Sequence, residues 1–563
     1  MLPSSRVGPG RAVSALAYAV LAAFVCTFVV GVLVPLYSDE VATKVMQSTF
    51  FLERRQLVSL LPQCDSPILR PIPLTLYPAS ILYAVVYAPL GLLGIKLSGL
   101  LIAAAWMFLV ARAIVRSAPD RSTKVARLAF IAALHGFGVL PFVLTSARPE
   151  VLLVLCVVAY CGLALDDRAL GGRSTGGRAV RAFVFCILTS VFFFAHPKTL
   201  LFTPFVLVCA AFAFPWRRTR LLALVAPLVL LTAAQVYADT RGIGACTHAP
   251  NVQRSLADQM LDPAQLAVDP GRLLARGLHN VVATPGRISD AILLRDSYPS
   301  GWLPATGGRA LGRGAALVNG ITNVVIAVYL CGVPALIVLA VREKRTKAER
   351  RCLTLAIMLA IALVANVFLY NWWNYYNSAL FLPALSVVGL LALRAGAARA
   401  LRRPLQSFPR LAAFMLSTFY AFAALSMVVT LRQLGPTLVA TARVEGTVLP
   451  GQPASVPVFR YAAERTKIRN LATTCGVDVE RPRRLVIDDA TYYAFEAIHE
   501  PLHILYITDV AMWGADMRGE AIRQFLREQG ATGIVARCEF YPTALWRYAK
   551  RENGYCCIGG ADL

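Results

Sequence analysis

Long apolar runs separated by short polar turns fill the first three quarters of the chain. The first run, "AVSALAYAVLAAFVCTFVVGVLV" (12–34), carries no charge. Runs of about 17–25 such residues match the hydrocarbon thickness of a bilayer. On that criterion about 11 transmembrane helices are expected. They fall at 12–36, 97–115, 128–146, 151–165, 182–195, 199–214, 221–238, 321–341, 352–370, 378–393 and 411–431. The first run is too long, and followed by too many others, to be a cleaved signal peptide. "YPASILYAVVYAPLGLLG" (77–94) is also apolar. Its Pro and Gly residues point to a hairpin or juxtamembrane helix dipping into the outer leaflet.

From about 435 the pattern changes. "RRLVIDD" (483–489), "LHILYITD" (502–509) and "TGIVARC" (532–538) read as buried strands, with helices at "TYYAFEAI" and "GEAIRQFLREQG" between them. Such alternation suggests a small α/β domain. It carries no Gly-rich phosphate loop, so no nucleotide site is indicated. The expected fold class is an α-helical polytopic membrane protein, with a membrane domain over 1–434 and a C-terminal exterior α/β domain over 435–563.

Composition agrees. The 563 residues are 57% hydrophobic and 15% charged, against about 25% charged in a soluble chain. A net charge of +25 raises the question of nucleic acid, and the distribution of the charge answers it. Five short basic loops (116–127, 166–181, 216–220, 342–351 and 394–410), with Arg6, Arg11 and Arg112, hold 25 of the 56 Lys and Arg and only five acids. Positive residues in short loops mark the cytoplasmic side. The N-terminus is then cytoplasmic and the C-terminus exterior, as in a bacterial cytoplasmic membrane facing the periplasm, and no nucleic-acid partner is expected. Exterior loops cover 37–96 and 239–320. Six of the 13 Cys fall outside, an even set compatible with disulfides in an oxidising compartment. Cys64 with Cys246 would staple the two exterior loops, and Cys475 or Cys538 would pair within the tail. No CxxC pair has metal spacing, so zinc is not expected.

The apolar runs hold almost no charge, which weighs against proton-coupled transporters and ion channels. The polar residues of interest lie instead at the outer helix ends: Asp39 and Glu40, "ARPE" (147–150), "AHPK" (195–198) and "NWWNYYN" (371–377). The topology brings these turns to one membrane face. Arg and Lys can bind and neutralise a phosphate. A carboxylate can take the proton of an attacking hydroxyl. Together they suit sugar transfer from a lipid-linked phosphate, with no nucleotide needed.

An Asp-Glu pair directly after the first membrane helix resembles the GT-C glycosyltransferase superfamily. It is most similar to the polyprenyl-phosphate-sugar branch, with its protein O-mannosyltransferases and lipid A aminoarabinose transferases. "RPE" (148–150) and "NYYNSALFLPAL" (374–385) also resemble that family's outer-face turns. The resemblance implies inversion at the anomeric centre, with the first-loop acid as base or acceptor-orienting group. The aminoarabinose transferases carry Arg and Tyr shortly after the acidic pair. Here the residues are Val41, Ala42 and Thr43, with Lys44 one turn from Glu40. Lys44, Arg54, Arg55 and Arg70 are the cations of that loop that remain as donor-phosphate candidates.

The expected roles follow. Asp39 and Glu40 are the catalytic candidates, Asp39 first. Lys198, Arg148, Lys44, His196 and Arg70 are candidates for the donor phosphate. Glu150, Tyr376 and Tyr375 are candidates for substrate binding. Structural roles compete: Glu150 after Pro149 suits a helix start, and the aromatics suit an interfacial belt. A cation such as Lys198 is disfavoured at a helix N-terminus, which marks it as an anion ligand. Segment 269–296 has apolar residues at helical spacing with Arg between, as in a helix lying on the outer leaflet. No cofactor is required, no metal ligand is assigned, and two acids leave room for a divalent cation. The partners implied are a polyprenyl-phosphate-linked sugar, an envelope glycan, lipid or protein acceptor, and membrane lipid. The rival readings are a flippase or transporter of lipid-linked glycan, which would need a polar track through the membrane, and a glycan polymerase.

Overall fold

The computed structural model describes residues 11–37, 40–56, 59–63, 66–72, 79–118, 120–165, 175–215, 220–244, 260–293, 302–303, 312–371, 373, 375–443, 455–456, 458–459, 461–495, 498–504, 507 and 520–563. The chain is a polytopic helical membrane protein with a sheet-containing tail. Among the described residues eight helices are long and apolar enough to cross a membrane, and the short apolar helices Ile81–Leu90, Pro149–Leu165 and Pro197–Ala213 accompany them.

Helix α1 (Arg11–Val30) tightens into a 3-10 turn at Gly31–Leu33 and gives way to strand β1 (Leu36–Tyr37). The helix expected through residue 36 therefore stops at Val30. The loop that follows folds as a π-turn over Val41–Val45, α2 (Met46–Arg54), a β2–β3 hairpin (Ser59–Gln63 and Ser66–Ile72) and α3 (Ala79–Leu90). Gly91, at φ +56°, divides α3 from α4 (Leu92–Ser117). Only glycine adopts that conformation without penalty.

The segment expected as one helix over 128–146 is broken. Helix α5 (Arg121–Leu134) ends at His135, and a single turn follows at Leu140–Val143. Gly138 between them has φ +56° and lies against the Ile292 carbonyl. The remaining apolar helices are α6 (Pro149–Leu165), α7 (Thr175–Phe193), α8 (Thr203–Ala213), α9 (Leu222–Gly244), α11 (Gly312–Arg342), α12 (Lys347–Leu369), α13 (Tyr375–Ala392) and α14 (Pro409–Arg443). The last runs twelve residues past its expected end at 431. Before α11 comes α10 (Pro270–Ile292), the helix expected within 269–296. It turns Leu273, Thr284 and Ile288 inward and leaves Leu274, Leu278 and Val282 exposed on another face.

The three expected tail strands form: β5 (Leu485–Ile487), β6 (Leu502–His503) and β7 (Gly533–Arg537), with β8 (Lys550–Glu552) and β9 (Tyr555–Gly559) in the same sheet, while β4 (Ser455–Val456) pairs separately with β1. The sheet has seven strands in the order β2-β3-β6-β5-β7-β9-β8. Its centre is parallel, with Val486 opposite both Leu502 and Ile534. Its flank is antiparallel, with Val535 opposite Cys557. Alternate side chains face opposite layers. Leu485, Ile487 and Val535 pack towards α15 (Tyr461–Thr474) with its Ile468 and Leu471. Val486, Ile534 and Ile558 pack with Ile522 and Leu526 of the short helix Ala521–Glu528. The loop after α1 thus supplies two strands of the tail's sheet, so the tail's core is not confined to 435–563.

Disulfides join Cys475 to Cys557 and Cys538 to Cys556. The expected Cys64–Cys246 pair lies outside the described residues.

Candidate active site

Several of the turns singled out in the sequence converge. Arg148 precedes the Pro149 start of α6, and Glu150 occupies its first turn, where the helix dipole favours an acid. The His196 ring caps the 3-10 turn Pro197–Phe202 by accepting the Lys198 backbone N–H at 3.1 Å. Tyr375–Asn377 opens α13. These starts bring one buried carboxylate among three basic side chains. Glu150 Oε1 lies 2.9 Å from Lys198 Nζ and 3.8 Å from His196 Nε2, and Glu150 Oε2 lies 3.5 Å from Arg148 Nε. Lys198 Nζ also donates to Asn377 Oδ1. The Tyr376 ring stands under both cations, 4.2 Å from the Arg148 guanidinium and 5.3 Å from Lys198 Nζ, and Tyr370 faces Lys198 at 5.1 Å. Burial, and next the Lys198 cation, push the His196 imidazole below its ordinary pKa and keep it neutral.

The loop after α1 is the second wall. Glu40 is buried: its Oε2 accepts the Tyr37 N–H at 2.8 Å, and its Oε1 accepts the Ala147 N–H. The carboxylate thereby ties the loop to the turn that carries Arg148. Burial raises its pKa, while Lys96, those two amides and Arg148 pull the other way. Lys44 is also buried, 4.9 Å from the Tyr83 ring. Burial lowers its pKa strongly and Arg148 adds to that, while Glu150 and Glu40 oppose. Lys44 therefore shares one electrostatic field with the Glu150 cluster.

Behind the loop is an aromatic brace. Tyr375 stacks on Trp302 at 4.9 Å and meets Tyr37 edge-on at 5.3 Å. Trp302 Nε1 donates to the Pro35 carbonyl at 2.8 Å. Strand β1 pairs with β4, Leu36 opposite Val456, so the chain just ahead of the acidic pair is hydrogen-bonded to the root of the tail.

Of the residues expected from sequence, Lys44, Arg148, Glu150, His196, Lys198 and Tyr376 are brought together, with Glu40 adjoining. Tyr375 belongs to the brace. Arg70 is not brought to the cluster: it is exposed on β3, within the field of Glu500 in the tail. Asp39 lies outside the described residues, as does Trp372. Among the described residues no three His, Cys, Asp or Glu side chains group as a metal cage.

Lys96 is the main residue that sequence reasoning missed. It is buried in the second turn of α4, beside Glu40, with its Nζ donating to Thr145 Oγ1 at 3.3 Å. The expected helix began at residue 97, which assigned Lys96 to the loop. A lone Lys one turn into an apolar run was the available signal. Asn377 and Tyr370 were missed too: no spacing rule aims an amide or a ring at a lysine far away in sequence.

The chain is similar to several solved structures. One is ArnT from Cupriavidus metallidurans bound to undecaprenyl phosphate: 12% identity, 96% of this chain and 97% of that one covered, TM-score 0.47. Another is the archaeal oligosaccharyltransferase AglB from Archaeoglobus fulgidus in complex with an inhibitory peptide and a dolichol-phosphate: 12% identity, 94% and 71% covered, TM-score 0.44. The apo form of the Archaeoglobus fulgidus oligosaccharyltransferase matches at 14% identity, 93% and 70% covered, TM-score 0.43. No family model matches the chain, and no curated protein sequence does. The chemistry is therefore argued from this chain's own side chains.

Proposed function

We propose that the protein is an inverting glycosyltransferase of the GT-C kind, acting at the exterior, periplasmic face of a bacterial cytoplasmic membrane. It moves a sugar from a polyprenyl-phosphate donor to a hydroxyl of an envelope acceptor. One observation carries the reading: a buried, cation-rich cluster at the outer helix ends. Lys44, Lys96, Arg148 and Lys198 stand with Glu40 and Glu150. Buried basic groups are costly to charge unless an anion offsets them, and a phosphate at the membrane surface is such an anion.

The chemistry follows. Asp39 takes the proton of the acceptor hydroxyl. The oxygen attacks the anomeric carbon from the face opposite the phosphate. The sugar–phosphate bond breaks, and the polyprenyl phosphate leaves with the electron pair. Lys198, Arg148 and Lys44 neutralise the charge that develops on it. Glu150, pinned by Lys198 and Arg148, orients those cations, and Glu40 holds the backbone beside Asp39.

The test is transfer of labelled sugar from synthetic polyprenyl-phosphate donors to envelope fractions, with Asp39→Asn alongside. Transfer by the wild type and its loss in a folded Asp39→Asn protein support the reading. Survival of transfer in Asp39→Asn removes Asp39 from the mechanism. Donor translocation without transfer replaces the reading by a flippase.

A further inference from the structure

The first exterior loop and the tail also meet away from Lys198. Helix α2 ends at Arg54, whose Nη2 lies 3.2 Å from His499 Nδ1. Next in sequence, Glu500 Oε2 accepts Arg484 Nε at 2.9 Å and lies 3.6 Å from Arg483 Nε. Arg70 on β3 stands within electrostatic range of the same carboxylate. Three guanidiniums thus gather around one carboxylate, with Arg54 on the neighbouring His499 and Arg55 next to Arg54. The patch faces outward: Arg54, Arg55, Arg70 and His499 are exposed, and the Arg483 side chain is 67% exposed.

The backbone under this patch is unusual. Arg55, Arg484 and Glu500 have φ of 56°, 51° and 55°. Apart from Asn553, they are the positive-φ residues other than glycine among the described residues. Such a conformation is strained for a side-chain-bearing residue and far less so for glycine. That Arg, Arg and Glu stand there ties the side chains, rather than the turns alone, to the patch.

We propose that this patch binds the acceptor, and that the acceptor is a glycan or glycolipid bearing phosphate or carboxylate groups; the inference rests on the glycosyl-transfer reading above. The spacing fits. From Lys44 in the cluster to Arg54 the chain is continuous helix, and ten residues at 1.5 Å each give about 15 Å. That is the reach of a short oligosaccharide. The acceptor hydroxyl would lie at the cluster while an anionic group further along the glycan is held by the arginines, whose planar forks match phosphate and carboxylate. The patch is built on the α/β sheet and its loops rather than on an apolar helix stripe, which favours a glycan over the leaflet itself.

The test uses the full chain in nanodiscs of zwitterionic lipid, with trigalacturonate as the probe and its trimethyl ester as the neutral control. Binding of the acid but not the ester is expected, weakening steeply with salt. Arg54→Glu with Arg483→Glu should weaken it tenfold or more, with undecaprenyl phosphate binding unchanged. Equal binding of the ester, or no change in the double variant, overturns the proposal. So does patch-dependent binding of dihexanoyl phosphatidylglycerol with none of trigalacturonate, which would make the patch a leaflet contact. Sugar transfer is assayed separately. Transfer without patch binding refutes the patch alone, and patch binding without transfer from any donor refutes the glycosyl-transfer reading alone.

Discussion

Glu40 and Glu150 sit at neighbouring points of one cluster and do different work. Glu40 accepts two backbone amides from separate segments. Glutamine would keep one acceptor and turn an NH2 towards the other amide, and a buried donor left unmade costs about 1–3 kcal/mol. Glu40→Gln should lower Tm by that measure and reduce transfer. The pH dependence has a definite sign. Burial lifts the folded pKa of Glu40 above its ordinary value. Its contribution to stability is therefore fully present below the unfolded value, about 4.3, and is lost as pH rises through the folded value. Glu40→Gln should flatten the Tm–pH profile across that window; a profile parallel to the wild type's would refute this. Glu150 pairs with cations instead, and breaking a buried pair costs more than removing both members. Lys198→Met should therefore destabilise by about 3–5 kcal/mol, and Lys198→Met with Glu150→Gln by less. A double variant as unstable as the sum of the singles would exclude the coupling. At this scale the acids and cations were legible because ionisable residues at apolar helix ends are conspicuous in sequence. Which of them touch was not, since contact depends on helix rotation and on where each helix begins. Arg70 shows the consequence: it shares a loop with Lys44 yet belongs to the tail's surface.

At the scale of elements, hydropathy marked the membrane helices well and their interruptions poorly. A window of apolar residues averages across a break, so 128–146 read as one helix although Gly138 splits it. The break has a purpose in packing: the Gly138 amide receives no helical partner but donates to Ser426 Oγ at 3.0 Å, and Val139 N–H donates to the Ile292 carbonyl at 2.9 Å at the end of α10. A β-carbon on residue 138 would run into that carbonyl and would also meet the left-handed penalty. Gly138→Ala should therefore unseat α10, read as faster proteolysis or hydrogen exchange across 270–292; unchanged protection there would contradict it. Strand β9 offers a second case. Its consecutive Cys556 and Cys557 face opposite sides of the sheet, so the two disulfides bolt it to both layers. Chain-entropy reasoning gives about 4.5 kcal/mol for the 82-residue link to Cys475 and about 3 kcal/mol for the 18-residue link to Cys538. Cys475→Ala with Cys557→Ala should accordingly lower the tail's melting temperature more than Cys538→Ala with Cys556→Ala, and the reverse order would count against that account.

At the scale of the molecule, the change of composition near residue 435 was a true signal that misled about independence. Strands β5, β6 and β7 were legible as short apolar runs, but nothing in sequence links them to residues 59–72, more than 400 positions earlier. Pairing at that separation is decided by tertiary packing, which no local pattern encodes. The hairpin covers the edge of β6, with Ile68 opposite Leu502 and the Leu69 N–H donating to the Pro501 carbonyl at 2.8 Å. Membrane domain and tail also share β1–β4, directly ahead of Asp39 and Glu40. A tail expressed alone from residue 444 would expose the β6 edge and the apolar Ile68 contact, and an uncovered edge strand recruits other chains. The isolated fragment should form its two disulfides poorly and aggregate. Supplying 1–443 as a separate chain in the same membrane should restore protection at Leu502 and Ile504. If the fragment alone gives a monomeric, cooperatively melting domain, the hairpin is an accessory to the sheet. If it does not, the first loop and the tail are one folding unit, and the register of the acidic pair depends on a sheet completed more than 400 residues downstream.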